Sequence, residues 1–173
     1  ATHTAHHLMK EDATLVVTDV FGEALDRARD MGLKVVEPDD IYGVDCDIFA
    51  PCALGGVINP DTIPQLKCKV VAGGANNQLL TDADGEDLHR LGIVYGPDYI
   101  LNSGGIINAE AEIGRVYNSD RAREKTERIY EIMERVIGIA KRGEIPTAKA
   151  ADRLAEDRLN SVRGIRRVYR SGQ

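Results

Sequence analysis

The chain has no tryptophan, two phenylalanines and only three cysteines among its 173 residues. Cys46, Cys52 and Cys68 are an odd number without CxxC spacing, so neither a disulfide framework nor a zinc site is indicated. The sequence also lacks a run of about 20 apolar residues, as a membrane span would need, and a signal peptide's basic-then-apolar layout. We therefore predict reduced thiols, no metal site, no membrane partner and a cytoplasmic protein.

Basic residues are also fewer than acidic residues. Lysine and arginine total 22 against 28 acidic residues, which gives a net charge of -6. A general nucleic-acid binder would carry a basic face, so we predict no nucleic-acid partner. The basic cluster near the end of the chain is better explained as a complement to a helix dipole. It consists of Arg163, Arg166, Arg167 and Arg170.

Short apolar runs alternate with helical stretches over the first two thirds of the chain. This alternation is typical of a parallel sheet covered by helices. The predicted strands are residues 15–19, 48–50, 70–72 and 93–95, and a minor extended piece is predicted at 34–36. The main predicted helices are residues 1–10, 22–30 and 82–91, with a further helix beginning near Ile106.

The last third predicts two amphipathic helices, the first ending at Arg142-Gly143 and the second opened by Pro146. In each helix the apolar residues recur at helical spacing, which predicts that one face packs in the core. The predicted faces are Ile129, Ile132, Met133, Val136, Ile137 and Ala140, and then Ala151, Leu154, Ala155, Leu159 and Val162.

A carboxylate, Asp19, ends the first predicted strand. In a dinucleotide-binding sheet such an acid accepts hydrogen bonds from the adenine-side ribose, and it would repel a 2′-phosphate. Asp19 therefore suggests an NAD site, although capping of the following helix explains it equally well. The glycine-rich turn of such a site lies about 20 residues upstream of the acid, whereas Ala1 is only eighteen positions before it. We interpret the chain as a fragment that lacks this turn.

Small and polar residues follow three successive strands, in segments 50–56, 73–78 and 97–105. Ligands of open α/β sheets bind beyond the carboxyl ends of the strands, and small residues let a flat ring approach the backbone. Any one segment is explained equally well as an ordinary turn. Three in succession, with Asp19 after a fourth strand, favour a ligand cleft.

These motifs resemble the NAD-binding domain of the Glu/Leu/Phe/Val amino-acid dehydrogenases, and most closely its leucine-specific branch. The matching motifs are Val17-Thr18-Asp19, the run 40–56, Pro97-Asp98-Tyr99, Asn102-Ser103-Gly104-Gly105, and Ile145-Pro146-Thr147 with the run 149–153. The resemblance implies a Rossmann-like doubly wound parallel sheet without its first strand and glycine-rich turn. It implies that residues 1–118 form the truncated dinucleotide-binding part and residues 119–173 the C-terminal helices packed on it.

The resemblance implies reversible oxidative deamination of a small apolar L-amino acid to its 2-oxo acid and ammonia, with hydride passing to NAD. It places the catalytic lysines and aspartate in a missing N-terminal substrate domain, so no catalytic residue is assigned in this chain. It also implies that the full-length protein is a homo-oligomer. The fragment alone is expected to be inactive and to fold poorly, because the missing central strand leaves two ladders of backbone groups unpaired.

The resemblance also implies roles for particular residues. Those that would bind the cofactor are Asp19, Val20, Ala50, Pro51, Cys52, Ala53, Leu54, Asn76 and Asn77. Those that would line the substrate pocket are Asn102, Gly104, Gly105, Ile106 and Ala109. The pair Asn76-Asn77 is more typical of the phenylalanine enzymes, and Ala109 is smaller than the branched residue expected there. A phenylalanine or valine dehydrogenase, or a non-catalytic NAD-binding module, therefore remains an alternative.

Overall fold

The computed structural model describes residues 2–114 and 116–170 and has an α/β architecture. The strands are β1 (Val16–Val17), β2 (Lys34–Val35), β3 (Ile48–Phe49), β4 (Val70–Val71) and β5 (Val94–Tyr95). The helices are α1 (Thr2–Lys10), α2 (Gly22–Asp30), α3 (Asp82–Arg90), α4 (Asp98–Leu101), α5 (Gly104–Glu110), α6 (Ser119–Gly143) and α7 (Thr147–Arg170). Two 3-10 turns lie at Asp40–Gly43 and Ile63–Gln65. Each predicted strand is present but shorter than predicted, and the sequence did not predict α4.

All strand pairs are parallel, as the alternation of strands and helices predicts. β1 pairs with β2, and Val16 lies opposite Lys34. β3, β4 and β5 form a second sheet, in which Ile48, Val70 and Val94 lie side by side. Within the described ranges no strand joins the two sheets.

The main core lies on the three-stranded sheet. Val71 at its centre is fully buried, and Leu88 of α3 is also fully buried against it. A capping box between Thr81 and Asp84 fixes the start of α3. The Asp84 carboxylate accepts from the backbone N–H and the hydroxyl of Thr81, and the backbone N–H of Asp84 donates back to Thr81. On the side of β1 and β2 the packing is looser, since no described residue before Pro51 is fully buried.

The long helices α6 and α7 pack against each other beside the turn that joins them. Their shared cluster consists of Val136, Ala140, Ala150 and Ala151. The hydroxyl group of the buried Thr147 donates a hydrogen bond to the carbonyl oxygen of Tyr95, which fixes the start of α7 to the end of β5. α6 also contacts α4 and α5, so the C-terminal helices cover the region where the last strand ends.

The predicted apolar face of α7 is only partly correct. Ala151 is buried and Leu154 is half-buried, but Ala155 is exposed, and Leu159 and Val162 are 58% and 46% exposed. In α6, Ile132 is 37% exposed, although Val136 and Ala140 are buried as predicted. Periodicity shows which face of a helix is apolar, but the described residues cover that face only in the first turns of α7. The side chains of Arg166, Arg167 and Arg170, together with residues 1 and 171–173, lie outside the described residues.

Among the described residues, no helix combines the length and the apolar character needed to cross a membrane. In the same part of the chain, no three His, Cys, Asp or Glu side chains are grouped closely enough to hold a metal ion. The three cysteines are free thiols, of which Cys68 is buried and the other two are half-buried.

Candidate functional site

The segments that follow β3 and β4 lie side by side at the carboxyl edge of the sheet. The backbone N–H of Ala75 donates to the carbonyl oxygen of Pro51 at 3.0 Å, and the N–H of Gly56 donates to Asn77 at 2.7 Å. Parallel neighbouring strands place their carboxyl ends at one edge. The structure therefore brings the predicted segments 50–56 and 73–78 into one surface.

Two glycines explain how closely these segments approach. A Cβ atom on Gly73 would lie 2.0 Å from the carbonyl oxygen of Pro51, and one on Gly55 would lie 2.8 Å from the carbonyl oxygens of Asn76 and Asn77. At these two positions, the absence of a side chain allows the backbones of the two segments to contact each other. Contact between the segments therefore accounts for Gly55 and Gly73, while close approach of a ligand to segment 50–56 stays a prediction.

Three predicted site residues, Asn76, Asn77 and Asn102, meet at this edge. The side-chain nitrogen of Asn102 donates to the side-chain oxygen of Asn76 at 2.6 Å, and Asn77 lies in the left-handed region with φ 51°. Asn76 and Asn77 are exposed, whereas Asn102 is half-buried. The two exposed side chains are therefore accessible from solvent at this edge of the sheet.

Asp98 and Gln78 support this arrangement, although neither was among the predicted cofactor or substrate residues. The Asp98 carboxylate accepts from the backbone N–H of Asn77 at 2.6 Å and from the hydroxyl of Tyr95 at 2.8 Å. Gln78 is fully buried and donates to the carbonyl oxygens of Gly73 and Ala75 at 2.7 and 3.0 Å. The signal that could have identified Asp98 is a carboxylate three residues beyond the end of β5, within the matched motif Pro97-Asp98-Tyr99.

The other predicted cofactor residues after β3 differ in exposure. Pro51 is buried and Cys52 is half-buried, whereas Ala50, Ala53 and Leu54 are exposed, Leu54 by 75%. Pro51 therefore packs beneath the segment, and the exposed residues around it form its outer surface.

The predicted substrate residues of α5 form a small apolar surface. Ile106 is 72% exposed and Ala109, three residues later on the same side of the helix, is also exposed. A Cβ atom on Gly105 would meet no atom within 4 Å, while one on Gly104 would reach Thr126 at 3.4 Å. The start of α5 is therefore open on the side of Gly105 and packed against α6 on the side of Gly104.

Asp19 and Val20 follow β1, in the two-stranded sheet. One carboxylate oxygen of Asp19 accepts from the backbone N–H of Phe21 at 3.0 Å, which closes the turn before α2. The other oxygen has no hydrogen-bond partner among the described residues, and Val20 is 78% exposed. The buried hydroxyl of Thr18 is likewise without a partner in the described part of the chain. The free oxygen of Asp19 and the exposed Val20 could hold the ribose of a dinucleotide, whereas the buried Thr18 hydroxyl is not accessible to a ligand.

Two tyrosines near the site have raised pKa values. Burial, together with the hydrogen bond to Asp98, raises the pKa of Tyr95 well above its ordinary value of 10.0. Burial, together with the negative charges of Asp152, Asp98 and Asp82, raises the pKa of Tyr99 to about 12. The folded state thus binds both phenolic protons more tightly than the unfolded state does. Their stabilising contribution is complete below pH 10 and is lost as the pH rises through the folded-state values.

Tyr95→Phe is expected to weaken this alkaline destabilisation in the full natural protein. Above pH 10 the wild type should lose stability more steeply than Tyr95→Phe, because the variant lacks the phenol whose pKa is raised in the folded state. At neutral pH the variant should be less stable by about 1.5 to 3 kcal/mol, because it loses a hydrogen bond to a carboxylate. Urea unfolding midpoints measured from neutral pH to pH 12 test this. The control is Tyr130→Phe at a side chain that is 71% exposed, and equal slopes for wild type and Tyr95→Phe would contradict the prediction.

Parallel strands joined by helices, with polar segments gathered at their carboxyl edge, define a Rossmann-like α/β protein. Residues 3–164 match the Glutamate/Leucine/Phenylalanine/Valine dehydrogenase family, and the chain belongs to this family. The predicted family and fold class are therefore confirmed.

The relatives differ in the substrate that their names carry. The chain is 54% identical over 170 residues to leucine dehydrogenase of Geobacillus stearothermophilus, covering 98% of this chain and 46% of that protein. It is 42% identical over 174 residues to phenylalanine dehydrogenase of Bacillus thermotolerans, covering 97% and 45% respectively. The crystal structure of L-tryptophan dehydrogenase from Nostoc punctiforme has a TM-score of 0.88 at 44% identity, covering 92% of this chain and 49% of that chain. The chain thus spans about half the length of these relatives.

Proposed function

We propose that this chain is the NAD-binding part of an amino-acid dehydrogenase that reversibly deaminates a small apolar L-amino acid to its 2-oxo acid and ammonia. The observation that carries the proposal is the joined surface after β3, β4 and β5, where Asn76 and Asn77 present exposed amides beside an apolar helix start. The identity of 54% to a leucine dehydrogenase favours a leucine-type substrate.

In this proposal Asp19 and Val20 hold the adenosine of NAD, and the segment Ala50 to Leu54 lines the nicotinamide ribose. The free oxygen of Asp19 accepts from a ribose hydroxyl while its other oxygen keeps the turn closed. Asn76 or Asn77 binds the nicotinamide or the substrate amino group through its exposed amide. When bound, NAD supplies the hydride acceptor of the reaction.

The substrate side chain contacts Ile106 and Ala109, beside the turn at Gly104 and Gly105 and the amide of Asn102. An apolar wall of this kind discriminates one methylene group by only about 1 to 3 kcal/mol, so neighbouring aliphatic amino acids compete. An aromatic substrate is the second candidate, because Ala109 is exposed and small. Two relatives with aromatic substrates in their names, a phenylalanine dehydrogenase and an L-tryptophan dehydrogenase, support this second candidate.

The rest of the catalytic machinery lies, in this proposal, in an N-terminal substrate domain of a longer, homo-oligomeric protein. Residues 1–118 are the dinucleotide-binding part and residues 119–173 its C-terminal helices. One further parallel strand between β1 and β3 would complete a doubly wound sheet, since these two strands flank the switch point in that topology. Ile48 of β3, which is 54% exposed, would then be covered.

The full natural protein tests the proposed activity directly. Formation of NADH is followed by absorbance with L-leucine, L-valine, L-isoleucine, L-phenylalanine and L-tryptophan, each with NAD and with NADP. The largest kcat/KM is expected with L-leucine and NAD. The largest value with an aromatic amino acid would favour the second candidate. Tight NAD binding without turnover of any amino acid would identify a non-catalytic NAD-binding module.

Asp19→Ala is expected to raise KM for NAD by roughly 10-fold or more, because removal of a charged hydrogen-bond acceptor costs about 1.5 to 3 kcal/mol. Discrimination against NADP should fall at the same time, since the repelling charge is gone. The matched control is Asp30→Ala, an exposed acid at the end of α2. An unchanged KM for NAD in Asp19→Ala would mean that Asp19 serves only to close the turn before α2.

A further inference from the structure

The turn at Asn76 and Asn77 is held in a costly conformation. Asn77 has φ 51°, a left-handed conformation that residues other than glycine rarely adopt. Asparagine tolerates it better than most residues do. The carbonyl oxygen of Asn77 accepts from Gly56 at 2.7 Å, so the conformation also sets the contact between the two segments of the cleft.

The Asp98 carboxylate is the group that holds the Asn77 amide. One oxygen accepts from the Asn77 backbone N–H at 2.6 Å, and the other accepts from the Tyr95 hydroxyl at 2.8 Å. Tyr95 is only 4% exposed, and its carbonyl oxygen accepts from the buried hydroxyl of Thr147. Asp98 therefore connects an exposed turn to the buried end of β5 and the start of α7.

Asn102 determines which end of the Asn76 amide is free. Its side-chain nitrogen donates to the side-chain oxygen of Asn76 at 2.6 Å and to the carbonyl oxygen of Ala75 at 3.4 Å. With that oxygen engaged, the side-chain nitrogen of Asn76 is the part left to donate, because no described residue accepts from it. Asn102 is the C-cap of α4, and Asp98 is the first residue of the same helix.

We propose that Asp98 is a positioning residue, which holds Asn77 in the left-handed turn and so presents the Asn76 side-chain amide as a hydrogen-bond donor to the ligand in the cleft. The inference rests on the proposed function for the identity of that ligand, the nicotinamide or the substrate. Asp98 itself touches neither. Helix α4 thus holds the turn at two points, through Asp98 at its start and Asn102 at its end.

The experiment compares Asp98→Ala and Asp98→Asn with wild type in the full natural protein. Asp98→Ala removes the acceptor for the Asn77 amide, whereas Asp98→Asn keeps one acceptor oxygen. The control is Asp61→Ala, at an exposed aspartate whose side chain makes no hydrogen bond among the described residues. The readouts are kcat and KM for NAD and amino acid, the melting temperature, and hydrogen exchange in peptides covering residues 73–80 and 82–90.

Asp98→Ala is expected to lower kcat/KM by about 10- to 100-fold, since small misplacement of a binding group has effects of this size. Exchange should accelerate in peptide 73–80 and stay unchanged in peptide 82–90. Asp98→Asn should recover activity to within about threefold of wild type, because the acceptor of the hydrogen bond is retained. Unaltered kinetics in Asp98→Ala, or equal acceleration of exchange in both peptides, would overturn the proposal.

The two proposals can fail separately. If the wild type turns over no amino acid, the proposed function fails, and the exchange of peptide 73–80 still shows whether Asp98 holds the turn. If the wild type is active and Asp98→Ala matches it, only the role of Asp98 is rejected.

Discussion

Gly73→Ala is expected to lower the free energy of unfolding by roughly 3 kcal/mol, at the upper end of the usual cost of overpacking. The added Cβ would lie 2.0 Å from the carbonyl oxygen and 2.5 Å from the nitrogen of Pro51. Both atoms belong to the backbone, so no side-chain rotation relieves the clash. Segment 73–78 must move away from segment 50–56, which also breaks the hydrogen bond from Ala75 to Pro51.

The adjacent glycine provides a matched control for this prediction. A Cβ atom on Gly74 would have Cys52 Sγ as its nearest neighbour, at 3.9 Å, an ordinary van der Waals distance. Gly74→Ala is therefore expected to change the free energy of unfolding by less than about 0.5 kcal/mol. Urea unfolding of the full natural protein measures both. Equal stability of the two variants would show that the segments are not in backbone contact.

Gly73→Ala should also impair ligand binding, because the two separated segments carry predicted cofactor residues. KM for NAD should rise in this variant, and the rise should persist at temperatures well below its melting point. An unchanged KM in a destabilised variant would separate the packing of the segments from the binding of the cofactor.

Leu88→Ala is expected to destabilise the protein by about 2 to 5 kcal/mol, because it leaves a cavity in the core. Leu88 is fully buried in the cluster that contains Ile58 and Val71. This cluster supports β4, which is the central strand of the three-stranded sheet. The core cluster around Leu88 contains none of the predicted ligand residues, so the loss should be one of stability.

Leu91→Ala at the end of the same helix is the control, since Leu91 is 57% exposed. Its effect should be less than about 0.5 kcal/mol. Urea midpoints give the stability, and KM for NAD at low temperature should equal that of wild type in both variants. A loss of less than about 1 kcal/mol in Leu88→Ala would contradict the described core.

The sequence predicted the order of elements because the signals involved are local. Alternating apolar runs located four strands and the extended piece that forms β2, and α2 spans the predicted residues 22–30. Residue type placed the cap of α3 at Thr81 or Asp82, and the structure shows Thr81 in that position with a capping box. The apolar face of α7 was overestimated, because periodicity shows amphipathicity but does not show which residues of another element cover the face.

By itself, the sequence determined the α/β class, the family and the three polar segments after β3, β4 and β5. These properties depend on residue type and on spacing along the chain. Only the tertiary structure decided that Gly55 and Gly73 serve contact between segments, and that Asp98 holds the amide of Asn77. Those two facts depend on distances between residues about 20 positions apart. Such distances arise only when parallel strands bring their carboxyl ends to one edge of the sheet.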